Sequence, residues 1–208
     1  MVKPLLSDSE RSRIEATIAD VEGRTSLELV VAVVARSADY WHWRVLLALC
    51  SGLSGGLAVL EWAPHVAPHW ALLLQLPVGA LAFLALGQGA LHRWLVPART
   101  SAAAVQGHAF RLFAERGLHH TRDHTGLLIL VSLLERRVTL LGDSALHARV
   151  GEGGWQRHVE HLVGRLREGQ ATTGIVEVIQ RIEATLGHDF PIGEHDVNEL
   201  PNAVIEQH

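Results

Sequence analysis

The sequence lacks the residues and motifs that several kinds of chemistry require. It has one cysteine, Cys50, so it can form neither an internal disulfide nor a paired-thiol zinc site. With 18 basic and 22 acidic residues its net charge is −4, which indicates no basic face for nucleic acid. It has no Gly-x-Ser-x-Gly, His-Glu-x-x-His or Cys-x-x-Cys motif and no phosphate-binding glycine-rich loop. Motifs alone therefore assign no reaction, and we expect no nucleic-acid partner.

Charge is absent from two long runs in the first half of the chain. Residues 45–60 form an uncharged run of 16 residues, and residues 71–91 form one of 21. At about 1.5 Å per residue the first gives roughly 24 Å of helix, close to the ~30 Å hydrocarbon core of a bilayer, and the second is long enough to span it. Tryptophans of the kind found at membrane interfaces border both runs: Trp41, Trp43, Trp62, Trp70 and Trp94. The pattern predicts a two-helix transmembrane hairpin over residues 41–97, and the alternative is a hairpin buried in a protein core.

Small residues four apart in the two runs predict close packing between the helices. Gly52 and Gly56 form one such pair, and Ala85 and Gly89 form the other. Because these residues have little or no side chain, the two helix backbones can approach each other at these points.

The distribution of arginine predicts the orientation of the hairpin. Arg36 and Arg44 precede the first helix, and Arg93 and Arg99 follow the second, whereas the connecting loop has only the acidic Glu61. The first residues also lack the apolar core and cleavage site of a secretory signal. We therefore expect a protein of the cell (inner) membrane with two spans, with its termini in the cytoplasm and the loop outside.

The residues on both sides of the hairpin predict one α/β domain. Ser7 and Glu10 form a capping box at the start of an amphipathic helix, and a valine-rich strand follows at residues 27–35. After the hairpin come a helix, a second buried strand at 127–133, a third strand across a Glu135-Arg136 turn, and two further helices. A parallel pair made by the first two strands requires both to lie on one side of the bilayer, so the connection between them must cross it an even number of times. Two spans meet this condition.

The order of these elements resembles the TPM domain family. The resemblance rests on three stretches, "LLSDSERSRIEATIADVEGRTSLELVVAVV", "AFRLFAERGLHHTRDHTGLLILVSLLERRVTLLGD" and "GQATTGIVEVIQRIEATL". It implies an α/β/α sandwich with a small central sheet, formed by residues 1–40 and 98–190 and followed by a polar tail at 191–208. The family includes a thylakoid-lumen protein with acid phosphatase activity and an auxiliary subunit of a nematode acetylcholine receptor. This chain resembles a bacterial, membrane-anchored subtype.

A possible metal site lies just before the second strand of the domain. The family usually has Asp-Asn-Gly there, a position associated with metal in some members, whereas this chain has His124, Thr125 and Gly126. Asp123 is one residue out of register, and Asp143 follows the third strand, which could bring it close. We take Asp123, His124 and Asp143 as the candidate ligands of a divalent metal ion. The alternative is that these residues and the nearby His119 and His120 are solvated loop residues.

Two functions remain open from the sequence. The first is a membrane-anchored TPM-like domain that acts as a binding or accessory module for another membrane component. The second is a metal-dependent acid phosphatase with the same architecture. His158 and His161, three residues apart on a predicted helix, support neither function, because their face is expected to be solvent-exposed.

Overall fold

The computed structural model describes residues 4–63, 65, 67–86, 96–151, 153–193 and 199–207. The end of the second uncharged run, including Gly89, lies outside these residues, and so do Arg93 and Trp94, which follow it. The chain separates into two compact units, Ala38–Ser101 on the one hand and Met1–Ser37 with Ala102–His208 on the other. The first unit holds the helical hairpin and the second is an α/β domain.

Four strands form the sheet of the α/β domain, in the order β3-β2-β1-β4. The strands are β1 (Glu28–Val34), β2 (Gly126–Ser132), β3 (Arg137–Gly142) and β4 (Ile205–Gln207). β1 and β2 are parallel, as predicted, while β3 runs antiparallel to β2. Every residue of β1 and β2 is buried, which agrees with their almost continuous valine, leucine and isoleucine sequences.

Helices cover both faces of this sheet and make it an α/β/α sandwich. One face packs against α1 (Asp8–Glu22), α6 (Gln156–Arg167) and α7 (Ala171–Leu186), with the short helix α5 (Ser144–Val150) at its end. The other face packs against α4 (Ala98–Glu115), through Val105, Ala109 and Leu112. The predicted capping box is present, since Ser7 Oγ accepts from Glu10 N at 3.3 Å and Glu10 Oε2 accepts from Ser7 N at 2.9 Å. The predicted fold class is therefore confirmed.

The last residues, expected to form a polar tail, include the edge strand β4. It pairs in parallel with the second half of β1, from Ala32 to Val34. Polar contacts with the start of the chain hold it: Glu206 pairs with Arg11 and accepts from Leu5 N at 2.9 Å. A strand of three residues, two of them polar, has no hydrophobic pattern that could have revealed it, and it depends on these tertiary contacts.

The charge of Glu206 should control the docking of β4. Burial alone would raise the pKa of this carboxyl, but hydrogen bonds from Arg11 and from the backbone of Leu5 hold the pKa below its usual value. Because the folded-state pKa is depressed, the stabilisation is present above the unfolded-state pKa and is lost as the pH falls through the folded-state value. We expect Glu206→Gln to speed amide exchange at Ala35, which donates to Gln207 O at 2.8 Å, by roughly tenfold at neutral pH. Hydrogen exchange should show this difference shrinking in acid, and a difference that grew in acid would contradict the assignment.

The hairpin consists of α2 (Trp41–Trp62) and α3 (Pro68–Leu86), packed closely against each other. Gly52 and Gly56 are its buried residues in α2, and a Cβ at Gly52 would lie 2.7 Å from Gln75 O. The prediction that this glycine pair allows a close approach is confirmed. Arg44 also joins the two helices, because its guanidinium donates to Phe83 O at 3.2 and 3.3 Å and lies 4.1 Å above the Phe83 ring.

Most of the apolar surface of the hairpin is not covered by protein. Both helices are long and apolar enough to cross a membrane. In the most apolar 18-residue stretch of each helix, only 11% is buried. The leucines and tryptophans that are largely exposed are Trp41, Leu46, Leu49, Leu53, Leu57, Leu60, Trp62, Trp70, Leu72, Leu73, Leu74, Leu76, Leu81 and Leu84. A helix from the core of a water-soluble protein would have these side chains buried.

Candidate functional site

The candidate site lies where β2 begins and β3 ends. Because these strands are antiparallel, the start of one lies beside the end of the other, and Asp143 N donates to Gly126 O at 2.8 Å. This pairing brings His124, two residues before β2, next to Asp143, directly after β3. Two of the three predicted ligands therefore meet.

His124 and Asp143 form a hydrogen-bonded pair. His124 Nδ1 lies 3.1 Å from Asp143 Oδ2, and since a carboxylate can only accept, Nδ1 carries the proton. The other oxygen of Asp143 accepts from Ser144 N at 2.6 Å and caps α5. The His124 side chain is 58% exposed, whereas that of Asp143 is 13% exposed. Asp143 thus fixes the imidazole and leaves Nε2 as the ring nitrogen available to a ligand, which is how a carboxylate orients a metal-binding or basic histidine.

The backbone of this loop is constrained on both sides of His124. His124 has φ 55°, a left-handed conformation that is uncommon for a residue with a side chain. Thr125 N donates to Thr121 Oγ1 at 3.2 Å, and the Thr125 hydroxyl donates to Ser26 O in the segment before β1. A Cβ at Gly126 would lie 2.2 Å from Leu118 O, which explains why the glycine of the family motif is retained although the Asp-Asn pair is not.

The third predicted ligand, Asp123, is exposed and makes no hydrogen bond or ion pair with His124 or Asp143. His119 and His120 are also exposed, and their rings lie 3.8 Å apart. In the described part of the chain no group of three histidine, cysteine, aspartate or glutamate side chains is arranged to hold a metal ion. The donor set therefore fits a divalent cation poorly, and the metal site stays a prediction.

His161, expected to lie on a solvent-exposed helix face, is instead part of an ionic contact between α6 and α7. Its Nε2 lies 2.6 Å from Glu177 Oε2, and Arg165 donates to both oxygens of Glu177 at 2.9 and 2.7 Å. Hydrogen bonds from Arg165 and then His161 lower the pKa of Glu177. His158 is half-buried, and burial lowers its pKa. The expectation of a solvated face was wrong for His161, because the partner is on another helix and helical spacing within α6 cannot reveal it.

The fold and the position of the hairpin together define the class of protein. It is an α/β/α sandwich with a four-stranded sheet, interrupted between its first two strands by a two-helix hairpin. The chain carries a TPM domain: the family model of that description matches residues 94–185, which confirms the resemblance found in the sequence. The match begins at residue 94, beyond α3, so it does not include α1 and β1.

A solved structure has the same fold. It is the NMR structure of the BA42 protein from the psychrophilic bacterium Bizionia argentinensis. The alignment covers 99% of this chain and 98% of the BA42 chain, with a TM-score of 0.62. The two sequences are 16% identical, so the similarity concerns the fold alone. No curated protein matches the chain.

Proposed function

We propose that this chain is an inner-membrane protein whose TPM domain lies on the cytoplasmic face and acts as a binding or accessory module for another membrane component. The observation that carries the proposal is the hairpin, with its apolar side chains open to the surroundings over about 20 residues in each helix. Lipid is the solvent that suits such a surface, because leaving this much apolar area in water is unfavourable.

The ends of the hairpin support a position across the bilayer. Trp62 is 87% exposed and Trp70 60% exposed on either side of the connecting loop, where aromatic rings favour the headgroup region. The guanidinium of Arg44, near the start of α2, donates hydrogen bonds to Phe83 O, so its charge does not face lipid without a polar partner. The arginines that flank the two helices favour a cytoplasmic α/β domain, because cytoplasmic segments next to membrane helices are enriched in lysine and arginine.

The candidate site is compatible with an accessory role. His124 and Asp143 form an oriented pair, but Asp123 does not join them, and the two side chains are bonded to each other. Such a pair can bind a ligand or fix a loop without any further catalytic group.

Two measurements test this proposal. In a variant with Cys50 replaced by serine, His65→Cys should react with a membrane-impermeant maleimide in intact cells, whereas Ala103→Cys should react only after permeabilisation. The tagged full-length protein, extracted in mild detergent, should retain one membrane protein at a fixed stoichiometry. The reversed labelling pattern would overturn the orientation, and a monodisperse protein without a partner would overturn the accessory role.

A metal-dependent phosphatase is the second candidate, favoured by the orientation of His124 through Asp143. It predicts turnover of p-nitrophenyl phosphate by the purified protein only with an added divalent cation. His124→Asn and Asp143→Asn should then each abolish turnover, while His147→Asn, on the exposed face of α5, should leave it unchanged. Absence of turnover with magnesium, manganese, calcium and zinc would remove this candidate.

A further inference from the structure

The outer edge of β3 is open. β3 is the end strand of the sheet, and no strand in the described residues pairs with its outer side. The bond from Asp143 N to Gly126 O shows that residues 137, 139, 141 and 143 direct their backbone groups to β2. The N–H and C=O groups of Val138 and Leu140 therefore point away from the sheet. This alternation is what an added strand needs for pairing.

A groove lies beside this edge, between β3 and α4. Its volume is about 230 Å³, and Val105, Ala109, Phe110, Thr139 and Leu141 are among the residues that line it. An apolar cavity of roughly 150 Å³ holds a benzene molecule, so this groove has room for at least one large apolar side chain.

Phe110 is unusual among the large apolar residues of the α/β domain. It is 52% exposed, and within the described residues of that domain only Ile192, at 48%, is a comparably exposed large apolar side chain. The buried contact of α4 with the sheet is formed by Val105, Ala109 and Leu112, and Phe110 is not part of it. An exposed aromatic ring beside an open strand edge is typical of a surface that binds another chain.

The geometry of the edge would direct a bound strand into the groove. Leu141 packs on the α4 side of the sheet, and Thr139, two residues earlier, has its side chain on the same side. A residue opposite Thr139 on an added strand also points to that side, towards Phe110. Strand pairing and side-chain burial would thus occur together.

Charge defines the kind of segment that fits. Arg137 lines the groove, and no acidic side chain is among its described lining residues. Arg111, next to Phe110 on α4, and Arg136, next to Arg137, are exposed. Arginine is therefore the only charged residue type among the described lining residues and their immediate neighbours in the sequence, although the chain as a whole has a net charge of −4. Acidic residues flanking an apolar core would complement them.

We propose that the groove between α4 and β3 binds an extended, acidic segment of a partner protein, which adds to the sheet beside β3 and buries an apolar side chain against Phe110. This inference rests on the accessory role proposed above and assigns the surface that would carry it.

The test uses the full-length protein in lipid nanodiscs and a fluorescent nine-residue peptide. The peptide has the core valine-threonine-leucine-threonine-valine between pairs of acidic residues, and its anisotropy reports binding. We expect saturable binding that Phe110→Ala weakens by about tenfold, as at a hot-spot aromatic residue. Ile192→Ala is the matched control and should leave binding unchanged. A peptide with proline in place of both threonines, or with lysine in place of the acidic residues, should bind at least about tenfold more weakly.

Three results would overturn the proposal: no binding of the acidic peptide, equal binding of the proline peptide, or equal loss in the two variants. A wild-type dimer that Phe110→Ala converts to a monomer would assign the groove to a second copy instead. If the partner that co-purifies with wild-type protein is also retained by Phe110→Ala, the groove is wrong but the accessory role stands.

Discussion

Replacing both Leu49 and Leu53 by arginine should prevent stable insertion of the hairpin. These leucines lie near the middle of α2 and are 66% and 57% exposed, so they would face lipid directly. An arginine at the centre of a transmembrane helix costs about 3 kcal/mol on insertion scales, and two should cost about 6 kcal/mol. We expect the wild-type protein to stay in the membrane pellet after an alkaline carbonate wash and the double variant to be lost from it.

The control for this prediction is Leu49→Ala with Leu53→Ala, which shortens the same side chains without adding charge. It should remain in the pellet. An arginine variant that stays inserted, or a wild-type protein that remains monomeric in solution without detergent, would contradict the membrane assignment.

Replacing Gly126 by alanine should strongly destabilise the α/β domain. The added Cβ would lie 2.2 Å from Leu118 O, a backbone atom that can move only with the loop that also carries His124. Overpacking of this kind typically lowers the free energy of unfolding by about 1–3 kcal/mol, and occasionally by more. Urea unfolding of the purified protein, followed by circular dichroism, should show a clearly lower midpoint.

Gly107→Ala provides a control with the opposite expected sign. Gly107 lies inside α4, and a Cβ there would meet no atom within 4 Å. Alanine in place of an exposed helical glycine should stabilise by about 0.5–1 kcal/mol. If the two variants changed the urea midpoint in the same direction, the close contact between Gly126 and Leu118 would not be the reason for the glycine.

Much of the fold could be predicted from local pattern because its main elements are long and strongly apolar. β1 and β2 are buried on both sides, so their valine- and leucine-rich runs identify them, and the Ser7 capping box marks the start of α1. The helical hairpin could be predicted for the same reason, because each of its helices contains a long run of uncharged residues. α5 was not predicted, although Asp143 at its N-cap was a signal that could have revealed it.

The candidate site was predictable only in part, because it depends on residues far apart in the sequence. The antiparallel hairpin from β2 to β3 predicts that His124 and Asp143 approach each other, and they do. The sequence does not show that Asp123, next to His124 in the chain, makes no hydrogen bond or ion pair with either of them. The contacts of His161 with Glu177 and of Arg11 with Glu206 join separate elements, so residue spacing could not reveal them.

The position of the hairpin has a consequence for how the chain is made. β1 leaves the ribosome about a hundred residues before its partner β2. At 5–20 residues per second the nascent valine-rich strand waits roughly 5–20 s without a partner, while the two helices that we propose to span the bilayer are synthesised. An unpaired strand of this composition is prone to aggregate, so folding of this protein should depend on a chaperone more than it would if a short connection joined β1 to β2.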